Sequence, residues 1–166
     1  MPTPADHNTR LSKADSPQTE EERSIMRKKP FRSLVGALLY LRHTRPDVAN
    51  ATRELTKFVQ DPGIKHWKAG QRILRYLKGT VDLKLKYRRN QPKAELVGAV
   101  DAEYRRSQPK AELVGAVDAD WANDQDNRRS ITGYTFSLSG GAAVTWSSRQ
   151  QDTVAGSSTE AEYIAA

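Results

Sequence analysis

The sequence predicts an α+β protein in which helices are followed by a sheet and one final helix. Apolar residues recur every three or four positions through the first 80 residues, which is the period of an amphipathic helix. After Gly79 they alternate with polar residues over short runs, as in half-buried strands. The chain has 166 residues, enough for one domain or two small ones.

The first 19 residues are predicted to form a disordered arm. The segment is polar, contains three prolines, and has too few apolar residues to pack. Thr19 then precedes three consecutive glutamates, and acidic residues in a first turn suit the helix dipole. A short helix is therefore expected to begin there and to end before Pro30.

Three further helices are expected before the period changes. Phe31–Arg42 has apolar residues at helical spacing. Arg45–Asp47 ends this helical pattern and begins a second helix, which Asp61–Gly63 ends. The third helix is predicted over Ile64–Lys78, with Gly79 as its C-terminal cap.

The helix Ile64–Lys78 carries an apolar side and a basic side. The apolar side is predicted to hold Trp67, Gly70, Leu74 and Leu77. The basic side holds Lys65, Lys68, Arg72 and Arg75, with Tyr76 beside them. Such a face suits contacts to a phosphate backbone, but the periodicity alone favours a solvated amphipathic helix. The pattern leaves both interpretations open.

Short alternating runs predict the strands of the second half. They are Val81–Tyr87, Glu95–Asp101, Glu112–Asp118, Ile131–Leu138 and Ala142–Ser148. Ser139–Gly141 is a good hairpin turn between the last two. Ser157–Glu160 supplies N-cap candidates for the final helix.

Residues 87–103 and 104–120 are a tandem copy of one 17-residue segment, differing at two positions only. Two copies are too few for a solenoid, and a near-perfect copy in an otherwise non-repetitive chain indicates a recent duplication. The second copy is expected to enter the sheet, because its connection to the following hairpin is short. The first copy is expected to be surplus, as an edge strand or a loop, pairing antiparallel to its twin through Glu103–Lys110.

The composition excludes some classes of site. The chain has no cysteine, which excludes disulfides and thiolate metal sites. The three histidines are scattered and are expected to be surface or half-buried polar residues. No apolar run approaches the ~20 residues of a membrane span, and the N-terminus lacks an apolar targeting segment. A soluble protein is expected.

The net charge of +7 is unevenly distributed. The first 90 residues hold 20 Lys and Arg against 9 Asp and Glu, and the remaining residues hold 7 against 11. A basic first half favours a polyanionic partner such as nucleic acid, and an acidic second half suits metal-binding carboxylates. Two ordinary solvated surfaces would give the same counts.

Several ordered motifs carry a resemblance to a known family. In the first half they are Phe31–Leu41, Thr44–Val48, His66-Trp67 and Arg72–Thr80. In the second half they are Leu113–Ala122, Arg129–Phe136, Val144–Ser148 and Ser157–Ala166. In this order they resemble the Pol polyprotein of copia-class LTR retrotransposons.

The resemblance implies a domain organisation and a site. Residues 20–80 would form the helical thumb or connection region of reverse transcriptase. Residues 81–166 would form a truncated ribonuclease H-like domain with an incomplete mixed sheet and one helix. Asp118 and Glu162 match the first two of four family carboxylates, which hold two Mg²⁺ ions for hydrolysis of the RNA strand of an RNA–DNA hybrid.

Two neighbouring acids, Asp120 and Glu160, have weaker claims to the same site. Outside this resemblance, an aspartate at a strand end more often serves a turn. A glutamate in a first helical turn more often serves the helix dipole.

The chain also departs from the family pattern. It stops at Ala166, before the third and fourth carboxylates, and it lacks the polymerase Asp-Asp motif. We therefore expect weak Mg²⁺ binding and no catalysis by the chain alone. The expected partner is an RNA–DNA hybrid or other nucleic acid, with no membrane and no small-molecule substrate, and the family suggests cytoplasmic particles or the nucleus.

Two alternatives remain for the function. One is a non-specific nucleic-acid-binding module that uses the basic helices. The other is an active ribonuclease in which a partner chain supplies the missing carboxylates.

Overall fold

A computed structural model describes residues 3–6, 9–87, 94–100, 111–138 and 142–166 of the protein, and it confirms the α+β class. The helices among these residues are α1 (Glu20–Arg27), α2 (Phe31–Leu41), α3 (Ala49–Thr56), α4 (Ile64–Gly79) and α5 (Ser158–Ala165). The strands are β1 (Ala94–Val100), β2 (Ala111–Asp120), β3 (Ile131–Leu138) and β4 (Ala143–Gln150). The chain divides into two compact units, residues 1–83 and 84–166, whereas the boundary drawn from the sequence lies between residues 80 and 81.

The first unit is built on a core shared by α2, α3 and α4. Its buried members are Phe31, Val35, Leu38, Val48, Ala51, Leu55 and Ile73. The buried side of α4 contains Gly70 and Ile73, and the Leu34 side chain lies where a Cβ on Gly70 would be. Leu74 is 45% exposed, so the prediction that it lies on the apolar side was wrong. Compared with the predicted orientation, α4 is rotated about its axis so that Ile73, and not Leu74, enters the core.

The N-terminal arm packs, which corrects the prediction of a disordered segment for its described residues. Lys13–Asp15 form a 3₁₀ turn capped by Ser12. Pro17 is buried, and Leu11 packs against the core. The prediction failed because a few apolar contacts, together with side-chain hydrogen bonds to a neighbouring helix, are enough to hold this segment in place.

No strand forms over Val81–Tyr87, which corrects a second prediction. Val81 is 72% and Leu83 is 50% exposed, so the alternating pattern faces no partner surface. Two hydrogen bonds link the end of the segment to residues at the start of β4. The Lys86 carbonyl accepts from the N–H of Ala142 at 3.3 Å, and the Tyr87 hydroxyl donates to the carbonyl of Ala143 at 2.8 Å.

The second unit contains a mixed sheet with strand order β1-β2-β3-β4. Strands β2, β3 and β4 are antiparallel neighbours. Strand β1 lies at the edge and pairs with β2 in parallel, from Ala94 opposite Ala111 to Val100 opposite Val117. The antiparallel pairing of the two copies was therefore predicted wrongly. The segment Glu103–Lys110 and the turn Ser139–Gly141 lie outside the described residues.

Local side-chain contacts fix the sheet and its helix. Gly115 is buried beneath the ring of Phe136, which leaves no room for a Cβ. Helix α5 begins at the N-cap Ser157, whose hydroxyl accepts from the N–H of Glu160 at 3.1 Å. The Gln151 side chain donates to the carbonyl of Ala161 at 2.8 Å. This bond ties the end of β4 to α5.

Candidate functional site

The two acids predicted as metal ligands lie at the same end of the sheet. Asp118 is an exposed residue of β2, opposite Gly133. Glu162 is a half-buried residue of α5, and its Oε1 accepts from the backbone N–H of Ala119 at 3.3 Å. Because Ala119 directly follows Asp118, this bond holds the Glu162 carboxylate one residue from the aspartate. The described β1–β2 pairing stops at Val117, so the N–H of Ala119 lies beyond the described hydrogen-bond ladder between β1 and β2.

The neighbouring acids Asp120 and Glu160 serve local structure. The Asp120 carboxylate accepts from the side-chain amide of Asn123 in the turn after β2. The Glu160 carboxylate accepts from the N–H of Gly156 at 2.8 Å, so it closes the N-terminal cap of α5. Both acids therefore have local partners of the kind that their sequence positions suggest.

A further acid near this end of the sheet was missed by sequence reasoning. Asp124 is 5% exposed. Its carboxylate accepts from the N–H of Asp126 at 2.9 Å and from the Gln150 side chain at 2.5 Å. The cluster of Asn and Asp residues in this segment was the available signal, since such side chains organise turns.

The donor set fits Mg²⁺ only in part. Carboxylate oxygens are suitable ligands for this ion, and Asp118 and Glu162 supply them. Among the described residues, however, no three His, Asp or Glu side chains come together as a metal site. Two carboxylates leave most positions of an octahedral ion to water, so the described residues do not form a two-ion centre.

The basic side of α4 is the second candidate site. Lys68 and Arg75 are exposed. Lys65 contacts both carboxylate oxygens of Asp15 at 2.9 and 3.1 Å, and Arg72 contacts the carboxylate of Asp6 at 3.0 Å. The structure thus brings the four predicted cations onto one helix and shows that two of them bind carboxylates of the arm.

Another basic surface lies around an open cavity of about 560 Å³ beside α1 and α2. Its lining includes the cations Arg23, Arg27, Lys29 and Arg32, with one acid, Asp61. Lys29 lies over the Trp67 ring, 5.3 Å from its centroid. Sequence reasoning placed the basic helices correctly but did not separate this surface from the face of α4.

A further cluster, around Arg45, has shifted pKa values and a structural role. The Arg45 guanidinium donates to Asp47 at 2.6 and 3.0 Å and to the Thr80 carbonyl at 3.1 Å. The Tyr76 hydroxyl donates to Asp47 at 2.7 Å, which raises the pKa of Tyr76. Burial raises the pKa of Asp47, but hydrogen bonds from Arg45 and Tyr76 outweigh burial and leave that pKa lowered. The cluster joins the start of α3 to the end of α4.

None of the helices in the described part of the chain has the length and apolar composition that a bilayer-spanning helix needs. The described residues thus define an α+β protein with a basic helical unit and a mixed sheet that carries a pair of acids.

Comparison with known proteins gives several relatives. The chain is 43% identical over 165 residues to the retrovirus-related Pol polyprotein from transposon TNT 1-94 of Nicotiana tabacum, covering 99% of this chain and 11% of that protein. It is 37% identical over 133 residues to the Pol polyprotein from transposon RE2 of Arabidopsis thaliana, covering 80% of this chain and 8% of that one. It is 44% identical over 141 residues to the secreted RxLR effector protein 161 of Plasmopara viticola, covering 84% of this chain and 86% of that protein. No family model and no solved structure matches the chain.

The chain belongs to the family of retrovirus-related Pol polyproteins from transposons and corresponds to a copia-class Pol fragment. It spans 11% of the length of the tobacco polyprotein.

Proposed function

We propose that this Pol fragment descends from the part of the polyprotein that handles RNA–DNA hybrids. In this proposal residues 84–166 are the front of a ribonuclease H-type domain, and Asp118 and Glu162 are its first two carboxylates. The observation that supports it best is the hydrogen bond between Glu162 and the N–H of Ala119. It joins a helix to the end of a central strand next to the other predicted acid.

The chemistry follows from the charges of the site. When bound, Mg²⁺ would supply charge stabilisation at a phosphodiester. Asp118 and Glu162 would share in holding it, while Asp120 and Glu160 keep their turn and cap bonds. Since the described residues offer only this pair, the 166-residue chain should bind Mg²⁺ weakly and should not cleave a hybrid by itself.

Thermal unfolding in Mg²⁺ tests this proposal. A ligand that binds the folded state stabilises it by about 1.4 kcal/mol when present at about tenfold its Kd. We expect about 10 mM Mg²⁺ to raise the Tm of the wild type by a few degrees, and Asp118→Asn or Glu162→Gln to remove that increase. Asp120→Asn and Glu160→Gln are the matched controls and should keep it. An equal Mg²⁺ effect in all five proteins would refute the assignment of the pair.

A cleavage assay separates the remaining alternative. Incubation of the wild type with a labelled RNA–DNA hybrid and Mg²⁺ should leave the RNA intact. Cleavage that Asp118→Asn abolishes would instead show that the chain is an active ribonuclease, alone or as an assembly of its copies.

The second candidate function is non-specific nucleic-acid binding by the basic face of α4. The observation that favours it is that two cations of this face already bind carboxylates: Lys65 binds Asp15, and Arg72 binds Asp6. Phosphate oxygens are acceptors of the same kind for these donors. Lys68 and Arg75 are exposed on the same helix, so a backbone could contact the whole row.

Salt-dependent binding tests this second function. Each phosphate contact on duplex DNA adds about 0.9 to the slope of log K against log salt. We expect Lys68→Glu with Arg75→Glu to weaken binding of a fluorescent hybrid and to lower the slope. The double variant Arg27→Glu with Arg32→Glu carries the same charge change at the cavity beside α1 and α2 and should keep the slope. The reverse result would move the binding surface to the cavity.

A further inference from the structure

Described residues of the N-terminal arm lie along the basic face of α4. Near its beginning, Arg72 is held by three groups of the arm. Its Nη1 donates to the carboxylate of Asp6 at 3.0 Å, its Nε to the carbonyl of Thr3 at 3.1 Å, and its Nη2 to the Thr3 hydroxyl at 3.2 Å. These bonds use three of the five N–H donors of the guanidinium, so the arm competes with a phosphate for Arg72.

A second contact holds the arm about two helical turns closer to the start of α4. Lys65 bonds both oxygens of Asp15. The Ser12 carbonyl lies 3.1 Å from Nε2 of His66, and the hydroxyl of Ser16 donates to the carbonyl of Asp61 at 2.8 Å. A Cβ on Gly63 would overlap the Asp15 carbonyl, so the arm rests directly on the backbone before α4.

The two contacts differ in how firmly they are anchored. Around Asp15 the arm is held by the buried Pro17 and by Leu11 packed on the core. The Arg72 and Asp6 side chains are 36% and 38% exposed, against 45% and 21% for Lys65 and Asp15, so the two pairs differ mainly in that the Asp6 carboxylate is more exposed and lies farther from these apolar anchors. Exposed ion pairs contribute little to stability and are screened by salt. The contact at Arg72 should therefore open first.

We propose that the arm masks the basic face of α4: the carboxylates of Asp6 and Asp15 occupy Arg72 and Lys65, and a polyanion must displace them to bind the whole row. This inference rests on the second proposed function, binding of nucleic acid by α4. In the masked form only Lys68 and Arg75 of the four cations meet the nucleic acid, and in the open form all four do.

The test compares two variants with the same charge change. Asp6→Asn with Asp15→Asn removes the two masking charges and keeps side chains of the same size. Glu21→Gln with Asp82→Asn removes two charges at exposed positions of the same unit. Binding of a fluorescent RNA–DNA hybrid is followed by anisotropy at several salt concentrations, with circular dichroism to check that each variant is folded.

We expect unmasking to make two more contacts available. The Asp6/Asp15 variant should bind at least tenfold more tightly than the wild type at 0.1 M salt, and its salt slope should be steeper by about 1.8. The Glu21/Asp82 variant should keep the wild-type slope. Asp6→Asn alone should give about half of the slope change, and this variant leaves the capped turn at Asp15 unchanged.

Three results would overturn the inference, and they separate it from the function on which it rests. If the wild type binds and the Asp6/Asp15 variant binds with the same slope, the arm does not mask the face. If both double variants steepen the slope equally, the effect is one of net charge only. If no protein binds the hybrid at low salt, the binding function and the mask are both refuted.

Discussion

Val97 of β1 lies opposite Val114 of β2 in parallel register, and each residue of β1 pairs with its own duplicate in β2. The two valines have the same sequence neighbours but different places in the sheet. Val97 is on the edge strand, while Val114 is on a strand with partners on both sides. One substitution made in both places therefore measures what each copy contributes.

Proline at these two positions should have unequal effects. Proline lacks the N–H needed by a ladder and is tolerated only at edges. We expect Val114→Pro to lower the free energy of unfolding of the second unit by about 3 kcal/mol. Val97→Pro should lower it by less than about 1 kcal/mol, because only the edge strand detaches. Urea unfolding followed by circular dichroism measures both, and equal losses would show that the first copy is not surplus.

The Arg45 cluster should make the first unit sensitive to acid. A carboxylate whose pKa is lower in the folded chain stabilises the fold above its unfolded pKa, and this contribution is lost as pH falls through the folded pKa. Asp47 has a lowered pKa, with an ordinary value of 3.8. Asp47→Asn should therefore cost about 1 kcal/mol at pH 7, and the difference from wild type should shrink below about pH 3.8.

Urea unfolding of both proteins at pH 7 and at pH 3 checks this dependence. Asp82→Asn, at an exposed position of the same unit, is the matched control and should behave as the wild type at both values. A cost for Asp47→Asn that stays constant across the range would contradict the assigned role of the carboxylate.

The sequence predicted those elements whose signals are local. Helices α2 and α4 and strand β3 follow from apolar spacing and from the residues that break the chain. The cap of α5 at Ser157 follows from a short motif. The proximity of Asp118 and Glu162 did not follow from spacing, because only the family resemblance related the two positions.

The predictions that failed depend on contacts between distant parts of the chain. The arm packs because Asp15 meets Lys65, fifty positions away, and no local pattern encodes such a pair. Residues 81–87 alternate as a strand does, but in the described structure they do not pair as a strand of the sheet. The orientation of the two copies was missed because identical strands have the same alternation in either direction.

The turn after β2 contains a position where glycine should be better than the native residue. Arg128 has φ 60, a left-handed conformation that costs a residue with a Cβ about 1 kcal/mol. It is exposed, so little packing is lost with its side chain. We expect Arg128→Gly to raise the free energy of unfolding by about 0.5–1 kcal/mol. Arg129→Gly is the control and should lower the free energy of unfolding, because Arg129 is not one of the described non-glycine residues with positive φ.

His66 should be the residue through which the arm and the first unit stabilise each other. Sequence reasoning expected a surface or half-buried histidine, but the residue is fully buried. Its Nδ1 accepts from the N–H of Gly63 at 2.8 Å, which leaves Nε2 to donate to the Ser12 carbonyl. Its ring also stacks on Phe58 with centroids 4.0 Å apart.

Removal of this side chain leaves the buried N–H of Gly63 and the carbonyl of Ser12 without the hydrogen-bond partner that His66 provides. We expect His66→Ala to cost about 3 kcal/mol in urea unfolding, whereas His43→Ala, at an exposed position, should change stability by less than about 0.5 kcal/mol. Because Ser12 loses its partner, trypsin should also cut faster at Lys13 in His66→Ala than in the control. A large loss of stability without faster cleavage would mean that the arm is held mainly by Asp15, Leu11 and Pro17, and that the histidine serves the core alone.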